Sequence, residues 1–225
     1  MTKRRTLASV ALIVGALSGS AGDCSATDDP TGVQVALVTL PESEDVARCI
    51  GTKFLGLIEH ESEIRTDDEL TRTGLDTDEI FDHPFTILTG DGAFELTDEQ
   101  AARLGRYASR GGFLLISSSC SNSAFNASME RALSRAFPGQ KLEPVPLEHE
   151  LFRTLFDIRS IRSKRPRETP VFRGLEIEGR LAVLYSPAGL NDTQNAAPGC
   201  CCCGSNEILN ASFINANALV YALTH

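Results

Sequence analysis

Four consecutive cysteines, Cys200, Cys201, Cys202 and Cys203, stand between Gly199 and Gly204 and account for most of the chain's seven. Thiols at that density can pair as disulfides, hold a metal, or exchange electrons. In an extended loop alternate side chains point to opposite sides, so Cys200 and Cys202 face one way and Cys201 and Cys203 the other. That geometry serves two pairs of thiols with separate partners better than one tetrahedral cage. Zinc ribbons space their ligands as C-x₂-C so that a turn gathers them, and this run lacks that spacing.

A second thiol, Cys120, closes the stretch Ser117-Ser118-Ser119-Cys120. It falls between an apolar run and a helical pattern, the setting in which a nucleophile is presented on a sharp turn. Nucleophilic catalysis there needs a histidine to take the proton and a carboxylate to orient that histidine. The chain has four histidines, His60, His83, His149 and His225, and none follows the last strand signal closely. Asp91, between Gly90 and Gly92, is either a ligand-contacting carboxylate or a turn residue tolerant of unusual backbone angles. The candidates for catalysis are therefore Cys120, Ser119 and Asp91. Those for a metal are Cys200, Cys201, Cys202 and Cys203, with Cys120, and no other cofactor is implied.

The compartment bears on which thiol chemistry applies. Residues 1–26 read as a signal peptide: Lys3-Arg4-Arg5, then an apolar stretch over 7–17, then small residues ending at Ser25-Ala26. The stretch is too short for a membrane span of about 20 residues. Asp23, directly before Cys24, is unsuited to a lipidation signal. An exported chain lies in a periplasmic, envelope or extracellular space where cysteines tend to pair. Loss of Cys24 leaves Cys49, Cys120 and the run, with Cys120 a plausible partner for one member of the run and Cys49 expected on a buried helix face.

The 225 residues carry a formal charge of −9, and residues 1–21 hold three basic residues, Lys3, Arg4 and Arg5, and no acid, so a chain without them is more acidic still. A body that acidic does not suit the phosphate backbone, so nucleic acid is not an expected partner. The basic stretch Arg159, Arg162, Lys164, Arg165 and Arg167 lacks interleaved aromatics and reads as a solvated loop.

The elements that must position these residues alternate. After a polar linker at 27–32, residues 33–39 read as a buried strand rich in valine. Ser43 begins a helix to about residue 59, and Glu63-Ile64-Arg65 reads as a short strand. Phe85-Thr86-Ile87-Leu88 is a stronger strand. Thr97 with Gln100 forms a capping box for a helix that stops at Gly111-Gly112. Phe113-Leu114-Leu115-Ile116 is a central strand, and a helix follows from Ser123 to Pro138-Gly139. A looser stretch comes next, with a short helix near 147–156. Residues 179–186 read as the last major strand, and 206–224 as a C-terminal helix in which Asn210, Asn215 and Asn217 can bond loops. Strands separated by helices imply crossovers and one α/β domain over 33–225. In such sheets ligands bind beyond the carboxyl ends of the strands, which gathers Asp91, Ser119, Cys120 and the cysteine run on one rim.

Three stretches, Pro84-Phe85-Thr86-Ile87-Leu88-Thr89-Gly90-Asp91-Gly92-Ala93-Phe94, Arg110-Gly111-Gly112-Phe113-Leu114-Leu115 and Arg180-Leu181-Ala182-Val183-Leu184-Tyr185-Ser186-Pro187, resemble the bacterial family called domain of unknown function 4159. Asn206-Glu207-Ile208, Asn215-Ala216-Asn217 and Tyr221-Ala222-Leu223 are similar to it too. That family looks like a relative of class I glutamine amidotransferases and ThuA-like proteins. The resemblance implies a flavodoxin-like three-layer sandwich with a mostly parallel central sheet. The chain departs from the family pattern at Asp91, where a histidine is usual, at Ser117-Ser118, where an acidic pair is usual, and at Glu150, where proline is common. With no histidine base in place, the expected function is a non-catalytic binding or assembly domain for a protein or small-molecule partner. The alternative is a cysteine-dependent hydrolase or a redox or metal-binding protein using Cys120 and the run 200–203.

Overall fold

The computed structural model describes residues 32–40, 43–164, 170–196, 198, 200 and 208–225. The expected signal peptide and most of the expected linker, with Cys24, Cys201, Cys202, Cys203 and Glu207, lie outside the described residues. At the centre is a seven-stranded sheet built from β1 (Val35–Thr39), β2 (Thr71–Thr73), β3 (Phe85–Gly90), β4 (Phe113–Ser118), β5 (Glu143–Pro144), β6 (Arg173–Ile177) and β7 (Arg180–Ser186). The order across it is β2-β1-β3-β4-β7-β6-β5. The first five strands in that order run parallel, and β6 and β5 extend the sheet antiparallel.

The parallel strands are apolar on both faces because both are covered. Val35, Leu37, Phe85, Ile87, Phe113, Leu115 and Leu184 point to one core, shared with α1 (Glu44–Ala47), α2 (Lys53–Glu61) and α5 (Ala211–Thr224). Val38, Leu88, Leu114, Ile116, Val183 and Tyr185 point to the other, shared with α3 (Asp98–Ser109) and α4 (Ser123–Ala136). The result is a flavodoxin-like α/β/α sandwich, as the family resemblance implied, with its strand order reversing between β1 and β3.

Local signals account for several element ends. Thr97 accepts from Gln100 N at 3.2 Å while Gln100 Oε1 accepts from Thr97 N at 2.8 Å, the reciprocal pair expected at the start of α3. Gly111 stops that helix at φ +101°. Asn122, one residue ahead of the expected start, caps α4 by accepting from Phe125 N at 2.9 Å.

Four expectations change. The helix foreseen from residue 43 to 59 is broken into α1 and α2, because the chain at 48–52 is drawn aside to meet the segment after β7. Glu63-Ile64-Arg65 is not a strand: Ile64 N donates to Ser62 Oγ at 3.2 Å, and its pairing with the chain before β1 stops at an isolated parallel bridge, Val33 to Thr66, in which Val33 N donates to Arg65 O at 2.8 Å. The strand beside β1 is Thr71–Thr73 instead. The hairpin of β6 and β7 went unforeseen. Its two-residue turn, Glu178 at φ 54° and Gly179 at φ +80°, has the left-handed pair that matches strand twist without the usual Asn-Gly signal.

Candidate functional site

The strand register places four hydroxyls in one row. Thr39 on β1 pairs with Thr89 on β3, Thr89 with Ser117 on β4, and Ser117 with Ser186 on β7. Side chains alternate along a strand, so all four share the face of Leu37, Ile87, Leu115 and Leu184, one rung beyond that core. Thr89, Ser117 and Ser186 are fully buried. The row marks the carboxyl ends of four parallel strands, where this fold places its ligands.

The row is covered by the chain that follows β7. Gly189, at φ +87°, turns it so closely over β4 that a Cβ there would lie 2.5 Å from Ser118 O. Leu190 N then donates to Ser117 Oγ at 2.6 Å. Asn191 Oδ1 accepts from Thr89 Oγ1 at 3.1 Å and from Ser117 Oγ. Thr89 Oγ1 also approaches Ser117 O at 2.9 Å, and Asn215 of α5 donates from Nδ2 to Leu190 O at 2.9 Å. Four buried polar atoms at the row have no partner among the described residues: Thr39 Oγ1, Ser186 Oγ, Asn191 Nδ2 and Asn215 Oδ1. A buried polar group left so costs about 1–3 kcal/mol.

Beyond Asn191 the backbone turns again at Asp192, which is left-handed at φ 52° and wholly buried. Asn195 Nδ2 donates to both Asp192 carboxylate oxygens at 2.9 Å, and Gln194 Nε2 reaches Oδ1 at 3.4 Å. Burial pushes the Asp192 carboxyl above its ordinary value, while those bonds and the charge of Lys53 pull it down. The segment then reaches Cys200, which is disulfide-bonded to Cys49 with the two Cα atoms 5.3 Å apart. Cys49 is buried, as its helix-face placement implied, but it sits in the turn between α1 and α2 and is half of a covalent tie.

The sequence candidates divide by location. Ser119 and Cys120 occupy the turn between β4 and α4, and Ser119 Oγ lies 3.7 Å from Cys120 Sγ. Cys120 and Ser121 are both left-handed, at φ 56° and 53°, a strained arrangement for residues with side chains. Cys120 is itself disulfide-bonded. Asp91 is exposed after β3, its carbonyl accepting from Ser43 Oγ at 3.4 Å. Of the metal candidates, Cys200 and Cys120 have their sulfurs in disulfides, and Cys201, Cys202 and Cys203 lie outside the described residues. Among the described residues no group of three or more histidine, cysteine or acidic side chains converges to hold a metal.

All four histidines lie at the opposite end of the sheet. His83 directly precedes β3, and its carbonyl accepts from Tyr107 OH at 2.9 Å. His60 is in the last turn of α2, which starts near the rim and runs away from it. His149 packs against the Tyr221 ring at 5.6 Å, and His225 stacks on that ring at 4.3 Å. Tyr221 OH accepts from Leu181 N at 3.1 Å, which fixes this cluster at the start of β7. No imidazole can therefore take a proton from Cys120 or Ser119 in this arrangement.

Sequence reasoning named Thr89 and Ser117 only as parts of strand ends and passed over Thr39, Ser186, Asn191 and Asp192. A signal existed, since each of four strands closes on a hydroxyl, but it becomes a row only once register is known. The asparagines of the last helix do bond loops: Asn217 Oδ1 accepts from Phe156 N at 2.8 Å, and Asn210 Oδ1 from Arg162 N at 2.9 Å. Elsewhere, a cavity of about 360 Å³ opens beside β5 and β6, lined by Lys141, Glu143, His149, Glu176 and Leu181. It includes none of the predicted site residues.

A family model described as "Domain of unknown function (DUF4159)" matches residues 41–223. No curated protein matches the chain.

Proposed function

We propose that this chain, which belongs to the DUF4159 family, is an exported binding or assembly domain whose strand-end rim contacts a protein or small-molecule partner without conventional catalysis. The observation that carries this proposal is the separation of Cys120 from every histidine, with Cys120 held in a disulfide. A thiol so bonded is no nucleophile, and a hydroxyl beside it has no base. Export over residues 1–26 accords with the Cys49–Cys200 bond, because disulfides persist in oxidising compartments. Among the described residues no helix is long and apolar enough to cross a membrane. Kinship with amidotransferase-like proteins belongs to the proposal and would make this a member of that fold that dispenses with the triad.

The test is a thiol and metal count on protein recovered from an exporting host. Intact mass after alkylation without reduction should find Cys49, Cys120 and Cys200 unlabelled and no stoichiometric metal. Glutaminase or esterase turnover that vanished in Cys120→Ala would overturn the proposal.

One observation favours a second role, that of a cysteine-dependent hydrolase or redox protein. The left-handed Cys120 and Ser121 store backbone strain on a strand-to-helix turn, where such strain serves to present a nucleophile. That role requires Cys120 to be a free thiol in the working protein, which the same alkylation experiment reads.

A further inference from the structure

The sheet ends at β5, which pairs with β6 on one side and, among the described residues, with no strand on the other. Val145 N donates to Phe172 O at 2.9 Å, so Val145 and Glu143 turn their backbone groups toward β6. Pro144, and Leu142 directly before β5, then turn theirs outward. Proline has no N–H, so the outer edge offers the N–H and C=O of Leu142 and the C=O of Pro144. Neither backbone group of Leu142 is bonded among the described residues. Lys141 and Glu143 flank it, both exposed and neither in an ion pair among the described residues.

An open edge invites another strand, and the charges beside it decide which strand fits. Consider a second copy of the chain laid antiparallel about a two-fold axis at Leu142. Each Leu142 N–H then donates to the Leu142 C=O of the other copy. Lys141 stands opposite Glu143 of the second copy, and Glu143 opposite its Lys141, all on one face of the sheet. The Leu142 side chains, partly buried against the core of α3 and α4, meet across the axis on the other face. A register centred on Glu143 also closes two bonds, Leu142 N to Pro144 O each way, but sets Glu143 against its own copy. The far edge of the sheet fails the same comparison. Pairing β2 about its middle residue opposes Arg72 to itself, between Asp67-Asp68-Glu69 and Asp76. Room for arriving side chains exists at β5. A cavity of about 360 Å³ opens beside Lys141 and Glu143 over Val145 and Leu181, and one of about 250 Å³ beside Leu142 over Leu133.

We propose that the β5 edge joins two copies of this chain in an antiparallel two-fold contact centred on Leu142, so that one sheet runs through both. Two hydrogen bonds and two exposed ion pairs make a weak, salt-sensitive dimer. The contact lies along the lateral edge of the sheet and does not rest on the strand-end binding face proposed above.

The test is sedimentation equilibrium on the full chain over a concentration series, with amide exchange at Leu142 read on the same samples. Wild type should dimerise with a Kd below about 1 mM and protect the Leu142 amide as it does so. Lys141→Glu and Glu143→Lys each set like charges opposite one another twice and should weaken the dimer at least about tenfold. The double variant Lys141→Glu/Glu143→Lys exchanges the pair and should restore it, which separates lost pairing from a damaged fold. A monomer at every concentration, a dimer unmoved by either single reversal, or failure of the double variant to recover would overturn the proposal. So would dimerisation that leaves Leu142 exchange unaltered, or a dimer held only by sulfur bonds on non-reducing electrophoresis.

Discussion

Gly51 N donates to Asn191 O at 2.7 Å, and a Cβ on Gly51 would lie 2.5 Å from the carbonyl oxygen of Asp192. The two backbones meet with no room for a side chain. Gly51→Ala must push the segment after β7 outward, since the opposing atom is backbone and cannot rotate aside. The expected cost is about 1–3 kcal/mol, read as a lower urea midpoint with an unchanged slope.

The hydroxyl row predicts a contrast between substitutions of similar size. Thr89→Val removes a hydroxyl that bonds Asn191 and should destabilise by about 1–2 kcal/mol. Thr39→Val and Ser186→Ala remove hydroxyls with no partner among the described residues and should be neutral or stabilising by up to about 1 kcal/mol. Denaturation of the three variants checks the order, and equal losses would mean that Thr39 and Ser186 are bonded to water.

Asp192 gives stability a pH dependence with a definite sign. Its folded-state value is raised, so the folded chain holds that proton more tightly than the unfolded chain does. Its contribution is full below the ordinary carboxylate range of about 4 and is lost as pH rises through the raised value. Asp192→Asn keeps a side chain that tolerates left-handed backbone and can still accept from Asn195. Its stability relative to wild type should therefore grow from acid toward neutral pH, as urea midpoints across a pH series will show.

Tyr107 ties α3 to the start of β3 on the other face. Its OH donates to His83 O at 2.9 Å and accepts from Thr86 Oγ1 at 3.0 Å, all buried. Tyr107→Phe strands the Thr86 hydroxyl and should cost about 1–2 kcal/mol. Adding Thr86→Val should recover part of that loss, and a double-mutant cycle measures how much.

Much of this architecture was legible as sequence because local chemistry and global fold agree there. The capping box at Thr97 and Gln100, the stop at Gly111 and the valine-rich or aliphatic strands each act within a few residues. What was not legible depends on long-range approach. The break after Ala47 exists because Gly51 meets a segment about 140 residues away, which no window around Cys49 reveals. Cys49 looked like any cysteine on an apolar face until its partner in that segment was known. The hairpin turn at Glu178 and Gly179 is dictated by the β6–β7 register, and glutamate gives no hint of a positive φ. At the rim, Ser119 and Cys120 were placed correctly between β4 and α4, but the row beneath the segment after β7 needed register across four strands.

The Cys49–Cys200 bond spans 151 residues of sequence, and by chain-entropy reckoning a loop of that size is worth about 5 kcal/mol. That span also orders events in time. In a chain emerging from its N-terminus, strands β2 to β7 appear between Cys49 and Cys200, and Cys120 appears before Cys200 as a wrong partner for Cys49. When its partner does arrive, three neighbouring cysteines arrive with it, each an alternative half of a wrong bond. In the folded chain, the Asn191 carbonyl seated on Gly51 sets Cys200 beside Cys49 with their Cα atoms 5.3 Å apart. Correct pairing is therefore a report on the tertiary fold, carried by one bond between segments far apart in sequence.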